Sequence, residues 1–242
     1  ARFEGPRHPL DPEAPLAILY TSGTTGRPKG AVLSHRSQIV RNLVVRAEYG
    51  LRPEDAFVAW SPMYHMGGSE YSLGTLMSGG EVIVVDGFDP DTIADLVASR
   101  ALGWLILMPG MVGRLADVLE RRATRPVGVR VCGVMPDLVP PADLARITRL
   151  LGAPYANTFG ATETGNPPAS AGLLPIGVEP ASMAKTPSAF CELRLVDAWG
   201  REVPAGFPGG LWRRGRTLFS GYWGATGAAA EAFAEDWYRM GD

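Results

Sequence analysis

The chain has 242 residues, of which 46% are hydrophobic and 20% are charged, and its formal net charge is −2 at pH 7. This charge gives no electrostatic reason to expect nucleic acid or an anionic membrane as a partner. No apolar run approaches the roughly 18 residues that span a bilayer, and the first residues lack a signal-peptide core, so we expect a soluble, cytoplasmic globular protein with no transmembrane segment. Cys132 and Cys191 lack the close spacing of a zinc or redox site, and we assign them no chemistry.

An apolar run at residues 16–20 predicts a strand, and a helical pattern begins near Ser34. In that pattern Ile39, Leu43 and Ala47 recur every four residues and share one helix face. The intervening segment would then connect a strand directly to a helix.

This connection reads Tyr-Thr-Ser-Gly-Thr-Thr-Gly-Arg-Pro-Lys-Gly over residues 20–30, so it carries hydroxyls, three glycines and the cation of Lys29. Glycines permit positive φ and close backbone approach, so successive N–H groups can point at phosphate oxygens while the hydroxyls add donors. The pattern therefore indicates a polyphosphate-binding loop. It is not a Walker A motif, since a proline precedes the lysine. For an isolated cluster of this composition, a plain polar connection is the alternative interpretation.

Residues 56–165 alternate between short β-rich runs and helical patterns. The predicted strands cover residues 56–60, 82–85, 104–108, 127–133 and 155–159. Helices are predicted near residues 70–78, 91–100, 111–122 and 141–151, two of them with prolines at their starts. This alternation predicts an α/β fold with a largely parallel sheet and flanking helices, in which ligands bind at the carboxyl ends of the strands.

After residue 165 the chain becomes rich in proline and glycine, with strands predicted at residues 190–196 and 209–213. Antiparallel or barrel-like structure is expected there. We expect three parts: residues 1–60 as the end of a first α/β subdomain with the phosphate loop, residues 61–165 as a second α/β subdomain, and residues 166–242 as a strand-rich segment.

The loop at residues 20–30 matches in full the signature Tyr-Thr-Ser-Gly-Thr-Thr-Gly-x-Pro-Lys-Gly of the acyl-adenylate-forming superfamily, which the chain strongly resembles. That superfamily includes acyl-CoA synthetases, nonribosomal peptide synthetase adenylation domains and luciferases. Residues 157–164 are similar to its segment with an adenine-stacking aromatic, a phosphate-binding threonine and a magnesium-associated glutamate. Residues 209–223 resemble its glycine-rich segment, and residues 236–242 resemble the motif whose last aspartate holds the ribose.

The resemblance extends over nearly the whole chain and implies an adenylation core truncated at both ends. The family's first α/β portion would lie upstream, and its small C-terminal domain with the catalytic lysine would lie downstream. Lys29 belongs to the phosphate loop and is not that lysine. Residues 133–136 read Gly-Val-Met-Pro and depart from the family's usual Gly-Gly-Ala-Pro, which weakens the expected second wall of the adenine site.

The chemistry implied by the resemblance is attack of a carboxylate on the α-phosphorus of ATP, giving acyl-AMP and pyrophosphate, and then thioester formation with CoA. It implies catalytic roles for Lys29, Thr162 and Glu163, with Glu163 also holding Mg²⁺. The expected ATP-binding residues are Thr21, Ser22, Gly23, Thr24, Thr25, Gly26, Lys29, Gly133, Asn157, Thr158, Phe159, Thr162 and Asp242.

The resemblance places the acid near residues 61–68, which read Ser-Pro-Met-Tyr-His-Met-Gly-Gly, and implies substrate-side roles for His65, Met66, Gly67 and Gly160. Amino-acid-activating members carry Phe-Asp here, whose carboxylate pairs with the substrate ammonium. This chain has no such aspartate, so a buried ammonium would lack a counter-charge, and a fatty or related carboxylic acid is favoured. Ordinary core packing is the alternative for His65 and the methionines.

Several alternatives remain open at this point. Within the family they are aryl-acid or amino-acid adenylation, a luciferase-like oxygenation, and transfer to a carrier-protein thiol instead of CoA. Outside it they are a nucleotide-binding module without turnover and an inactive structural fragment. The sequence predicts no oligomeric state.

Overall fold

Strands and helices alternate along most of the chain, which a computed structural model describes over residues 9–21 and 28–241. The strands are β1 (Pro15–Thr21), β2 (Lys29–Ser34), β3 (Phe57–Ala59), β4 (Val82–Val84), β5 (Ala101–Leu105), β6 (Gly128–Cys132), β7 (Tyr155–Ala156), β8 (Phe159–Ala161), β9 (Gly165–Ala169), β10 (Leu173–Leu174), β11 (Glu192–Val196), β12 (Gly210–Arg214), β13 (Gly221–Tyr222), β14 (Phe233–Ala234) and β15 (Trp237–Arg239). The helices are α1 (His35–Tyr49), α2 (Met66–Met77), α3 (Pro90–Ser99), α4 (Pro109–Arg121), α5 (Pro141–Leu151) and α6 (Thr226–Ala232), with a 3₁₀ turn at Pro136–Leu138.

The central sheet is built mainly from parallel strands. Strands β5, β6 and β7 run parallel, and β10 adds to β7 in the antiparallel direction. Strands β3 and β4 form a parallel pair, which a parallel bridge between Ala56 and Leu102 connects to β5. The predicted α/β fold with a largely parallel sheet and flanking helices is confirmed.

Helices cover both faces of this sheet. Alternate residues of a strand point to opposite sides, so each face packs its own side chains against its own helices. Leu105 and Leu107 pack with the apolar faces of α3, α4 and α5. Trp104 and Ile106 pack on the other side with α1 and α2. The aromatic rings of Tyr49 and Tyr71 meet Trp104 with ring centroids 4.9 and 4.8 Å apart.

Helix α1 begins where the sequence predicts, with Ser34 as its capping residue. The predicted apolar face, however, does not face the core. Ile39 and Leu43 are 41% and 59% exposed, whereas Val44 and Val45 are buried. The buried side of α1 also carries polar side chains, which is why the apolar spacing alone selects the wrong face.

The phosphate loop connects two antiparallel strands. Strand β1 pairs with β2, with Thr21 opposite Lys29, and β13 adds to the other edge of β2. The prediction of a direct strand-to-helix connection was therefore wrong, because β2 lies between the loop and α1. Strand β2 begins inside the loop motif itself, so its first residues have the composition of a turn.

The C-terminal region is antiparallel, as predicted. Strands β11, β12, β15 and β14 form a four-stranded sheet in that order, and within the described residues it does not close into a barrel. Leu19 and Leu33 of the β1–β2 hairpin pack with Phe219 and Tyr238 in one buried cluster. Within the described residues, 9–21 and 28–241, no helix combines the length and apolar character needed to cross a membrane.

A buried ion pair connects α1 to α2. The Arg41 Nη1 and Glu70 Oε2 atoms are 3.0 Å apart, and both side chains are fully buried. Arg41 Nε also donates a hydrogen bond to the carbonyl oxygen of Thr217 at 2.7 Å. Removing one buried partner leaves the other charge uncompensated, so this pair is sensitive to single substitutions.

The same buried region holds the turn between β8 and β9, which carries Thr162 and Glu163. The carbonyl oxygen of Thr164 accepts hydrogen bonds from Arg213 Nη1 at 3.1 Å and from Thr217 Oγ1 at 3.0 Å. Gly160 lies so close to the far side of the turn that a Cβ atom there would be 2.1 Å from the Gly165 carbonyl oxygen. The turn therefore requires glycine at position 160.

We expect Glu70→Leu to lower the free energy of unfolding by about 3–5 kcal/mol, because Arg41 would remain charged in an apolar site. Adding Arg41→Met should recover much of this loss. Glu81→Ala, which breaks the exposed pair with Arg100, is the control and should cost less than about 1 kcal/mol. Urea unfolding measures all three, and equal effects of Glu70→Leu and Glu81→Ala would contradict the role of the buried pair.

Gly160→Ala should lower the free energy of unfolding by about 1–3 kcal/mol, because the added methyl group meets backbone that cannot move freely. Gly113→Ala in α4 is the matched control, since the nearest atom to its added Cβ is Asp143 Oδ2 at 3.8 Å. It should be neutral or stabilise by up to about 1 kcal/mol, as alanine favours a helix interior. Chemical denaturation compares the two, and a neutral Gly160→Ala would show that the turn can widen.

Candidate functional site

Glu163 lies in a buried position in which one carboxylate oxygen is held by two hydroxyl groups. Its Oε1 accepts a hydrogen bond from Tyr222 at 2.9 Å and a longer one from Thr21 Oγ1 at 3.4 Å. The Phe219 N–H donates to the Glu163 carbonyl oxygen at 2.9 Å. Among the described residues, Oε2 has no hydrogen-bond partner.

Lys29 reaches the same place from the start of β2. Its Nζ lies 5.2 Å from the centroid of the Tyr222 ring, within the range of a cation–π contact. Within the part of the chain that the structure describes, Lys29 forms no salt bridge. The structure thus brings together Thr21, Lys29 and Glu163 around Tyr222, and we call these four residues the Tyr222 cluster.

Tyr222 belongs to no site predicted from the sequence, although it lies within the glycine-rich segment at residues 209–223. Burial raises the pKa of its phenol to about 12, so the hydroxyl is protonated near neutral pH and donates to Glu163. Only the pairing of β13 with β2 brings it beside Lys29, and no local sequence pattern encodes that pairing.

Ser22, Gly23, Thr24, Thr25, Gly26 and Asp242 lie outside the described residues, so their predicted contacts with ATP stay predictions. The flanking residues Thr21 and Lys29 fix where the loop starts and ends.

A cavity of about 540 Å³ lies next to the Tyr222 cluster, since Thr162, the neighbour of Glu163, lines it. Its walls come from residues that follow β3, β5, β6 and β7, where the parallel strands end. This is the edge at which α/β sheets bind ligands. Of the predicted residues, the cavity walls include Thr158, Phe159, Gly160, Thr162, His65, Met66 and Gly67.

His65 caps helix α2. Its Nδ1 accepts a hydrogen bond from the Gly67 N–H at 3.0 Å, which requires the lone pair on that nitrogen. The exposed imidazole lines the cavity, and its place beside the acid stays a prediction.

Of the predicted nucleotide-binding residues that the structure describes, four do not line the cavity: Thr21 and Lys29, which belong to the Tyr222 cluster, and Gly133 and Asn157. Gly133 has a φ of 69°, and a Cβ atom there would lie 1.9 Å from the Tyr155 ring, so its backbone is tightly packed. Its neighbours Val134 and Met135 do line the cavity. Asn157 is buried, and its Nδ2 donates to the Ala184 carbonyl oxygen at 3.0 Å.

The sequence analysis missed the inner wall of the cavity, which includes Trp60, Tyr71, Ile106 and Asn166. Tyr71 donates a hydrogen bond to Asn166 Oδ1 at 2.8 Å, and Trp60 Nε1 donates to the Ile106 carbonyl oxygen at 2.8 Å. Aromatic and branched side chains at strand ends have the composition of core residues, and only the placement of α2 and β9 opens a space beside them.

The cavity is nearly neutral. Among the described residues that line it, Asp137 is the one carboxylate, and no lysine or arginine is present. Asp137 is already paired, because Lys185 Nζ lies 2.5 Å from its Oδ2. No cluster of three or more His, Cys, Asp or Glu side chains that could hold a metal ion occurs within the described residues. A metal held here would therefore need oxygen atoms from its ligand as well as Glu163.

The chain is similar in sequence to known proteins. The profile of the family described as AMP-binding enzyme matches residues 2–223. A sulfoacetate–CoA ligase from Cupriavidus necator is 31% identical over 239 residues, which cover 98% of this chain and 46% of that protein. A feruloyl-CoA synthase from an Amycolatopsis species is 30% identical over 246 residues, covering 99% of this chain and 48% of that protein.

The fold is also that of solved structures. The inhibitor-bound N-terminal domain of FACL13 from Mycobacterium tuberculosis superposes with a TM-score of 0.83 at 22% identity, over 99% of this chain and 59% of that one. The chain spans about half the length of the curated relatives that it matches. By its profile match and its similarity to these relatives, the chain belongs to the AMP-binding enzyme family.

Proposed function

We propose that the protein containing this chain joins a carboxylic acid to CoA in two steps, with an acyl-AMP intermediate formed from ATP. The observation that carries the proposal is the convergence of Thr21, Lys29 and Glu163 at Tyr222, beside a nearly neutral cavity. A phosphate-binding group and an acid-binding space are then adjacent. The matched relatives named as a CoA ligase and a CoA synthase support CoA as the acceptor.

Adenylation brings two anions together, so binding must offset their repulsion and align them. Lys29 provides the positive charge for the β- and γ-phosphates, together with Thr21 and the loop residues Ser22 to Gly26. Thr162, at the cavity wall, donates to the α-phosphate, where the acid attacks. The roles are electrostatic, and they require no side chain to remove a proton.

Glu163 fits a role in holding Mg²⁺. A protein site for this ion commonly supplies one or two carboxylates and leaves the other positions to phosphate oxygens and water. Tyr222 and Thr21 occupy Oε1 of Glu163, and Oε2 remains without a partner among the described residues. When bound, the ion spreads the negative charge of the transferring phosphate group.

The nucleoside is proposed to lie along residues 157–162. Phe159 lines the cavity and provides a face on which adenine stacks, with Val134, the neighbour of Gly133, at the cavity wall on its other side. Asp242 would accept the two ribose hydroxyls, a role suited to a carboxylate. Thr158 lines the same wall. Asn157 would not contact the nucleoside and would instead hold the segment at residues 184–185 in place through hydrogen bonds.

The acid is proposed to be one without an α-amino group, from the fatty or related carboxylic acids. The Asp137 carboxylate is already paired with Lys185, so a buried substrate ammonium would find no free counter-charge among the described residues of the cavity wall. His65, Met66, Gly67 and Gly160 lie on the acid side. The thioethers of Met66 and Met108 adapt readily to flexible apolar chains.

The three-part division into residues 1–60, 61–165 and 166–242 stays a proposal. In this division the first part contributes Lys29 and Trp60, the second contributes most of the cavity wall, and the third contributes Asn166 and Tyr222. Their meeting point is the proposed reaction site.

ATP with Mg²⁺ at about 100 times its Kd should raise the melting temperature by roughly 5–10 °C, since ligand binding stabilises the folded state by RT ln(1 + [L]/Kd). Lys29→Met and Glu163→Gln should remove most of this shift and slow acid-dependent ATP–pyrophosphate exchange about 100- to 1,000-fold. Glu81→Gln, at an exposed position in a surface ion pair, is the control and should change neither value. Exchange that survives both site substitutions would overturn the proposed roles.

ATP–pyrophosphate exchange by the full-length protein that contains this chain, measured with a panel of acids, tests the substrate class. Octanoate and cinnamate should support exchange, whereas leucine and phenylalanine should not, because of the missing counter-charge. Exchange with the amino acids alone would overturn the proposed class. A melting shift with ATP but no exchange with any acid would instead favour a nucleotide-binding module.

A further inference from the structure

Tyr222 stands between two opposite charges. Its hydroxyl group binds the Glu163 carboxylate at 2.9 Å, and its ring lies under the Lys29 ammonium at 5.2 Å. In the proposed function, Glu163 holds Mg²⁺ and Lys29 binds the phosphates. A single side chain contacts both.

The position of the Tyr222 ring is fixed from several sides. Its residue pairs with Ala31 in the β13–β2 ladder, and the next residue, Trp223, donates its N–H to the Gly30 carbonyl oxygen at 2.8 Å. The ring packs edge-on against Phe219, with centroids 4.8 Å apart. Because β2 also carries Lys29, the ring and the lysine belong to one rigid ladder.

The hydroxyl group is not needed for the ring contact with Phe219, and besides Glu163 it also forms a hydrogen bond with Tyr238. A phenylalanine would fill the same space against Phe219 and would keep its face toward Lys29. The bond to Glu163 is therefore a separate feature, and it holds one oxygen of a carboxylate whose other oxygen has no partner among the described residues.

Lysine and glutamate side chains this close to one shared neighbour would otherwise attract each other. A direct pair would neutralise both charges and would have to break before either could bind a ligand. Within the described residues no such pair exists, and Tyr222 contacts both charged groups.

We propose that Tyr222 is a positioning residue that keeps Glu163 and Lys29 separate and oriented for ATP and Mg²⁺. The inference rests on the proposed function and adds to it a residue that holds both charged groups. The hydroxyl acts through Glu163 on metal-dependent binding, and the ring acts through Lys29 on phosphate binding itself.

Two substitutions separate these roles. Tyr222→Phe keeps the ring and removes the hydroxyl, so the Kd for ATP with Mg²⁺ should rise about 10- to 100-fold, the usual effect of losing a hydrogen bond to a charged group. The Kd for ATP in EDTA should stay within about twofold. Tyr222→Leu also removes the ring face, so it should weaken ATP binding both with Mg²⁺ and in EDTA.

Isothermal titration calorimetry of the chain with ATP measures these constants. Tyr49→Phe is the control, because the Tyr49 hydroxyl is buried without a partner among the described residues and lies in the core beneath α1. It should leave both constants unchanged. Adding Glu163→Gln to Tyr222→Phe should cause no loss beyond that of Glu163→Gln alone, since groups that act as one unit are not additive.

Equal ATP–Mg²⁺ affinity for the wild-type chain and Tyr222→Phe would overturn the inference and leave the proposed function standing. Equal losses with Mg²⁺ and in EDTA for Tyr222→Phe would also overturn it, because they indicate a general structural effect. A wild-type chain that binds no ATP in either condition would overturn both.

Discussion

The buried guanidinium of Arg41 connects the parts from which the site is built. It pairs with Glu70 on α2, and it donates to the carbonyl oxygen of Thr217, whose hydroxyl in turn binds the Thr164 carbonyl oxygen. Arg213 reaches that same Thr164 oxygen from β12. The Arg213 cation therefore binds the backbone of the β8–β9 turn directly, and the Arg41 cation binds Thr217, which in turn binds the same turn. This turn positions Thr162 and Glu163. The other nitrogens of these guanidinium groups are only partly satisfied, since Arg41 Nη2 and Arg213 Nε have no hydrogen-bond partner among the described residues.

Two different kinds of sheet meet at the site. The parallel sheet ends in loops that form a nearly neutral cavity, as the carboxyl ends of such strands commonly do. The antiparallel β1–β2–β13 sheet supplies the charged end, with Lys29 on one strand and Tyr222 on its neighbour. The nearly neutral cavity and the charged Tyr222 cluster come from different segments of the chain. Neither of them is a complete site by itself. The proposed reaction requires their contact.

Local patterns predicted much of this fold, and the reasons are visible in particular residues. Prolines mark two of the helix starts, and the β-rich runs mark the parallel strands, because those signals depend only on neighbouring residues. The α1 face was mispredicted since its core side carries Arg41, and strand β2 was missed because it begins within the loop motif. Tyr222 and the cavity residues Tyr71 and Asn166 depend on pairing between distant segments. No local pattern could have indicated them.

The ion pair between Asp137 and Lys185 has a consequence for how an amphipathic acid would lie. Since this pair cancels the one carboxylate of the cavity wall among the described residues, the cavity offers no electrostatic preference along most of its length. Lys29, which forms no salt bridge within the described residues, adds positive charge at the Tyr222 cluster. An entering acid would therefore meet a polarity gradient that directs its anionic head to the nucleotide end and its apolar tail away from it. Directionality of this kind selects one of two possible binding orientations before any bond is formed.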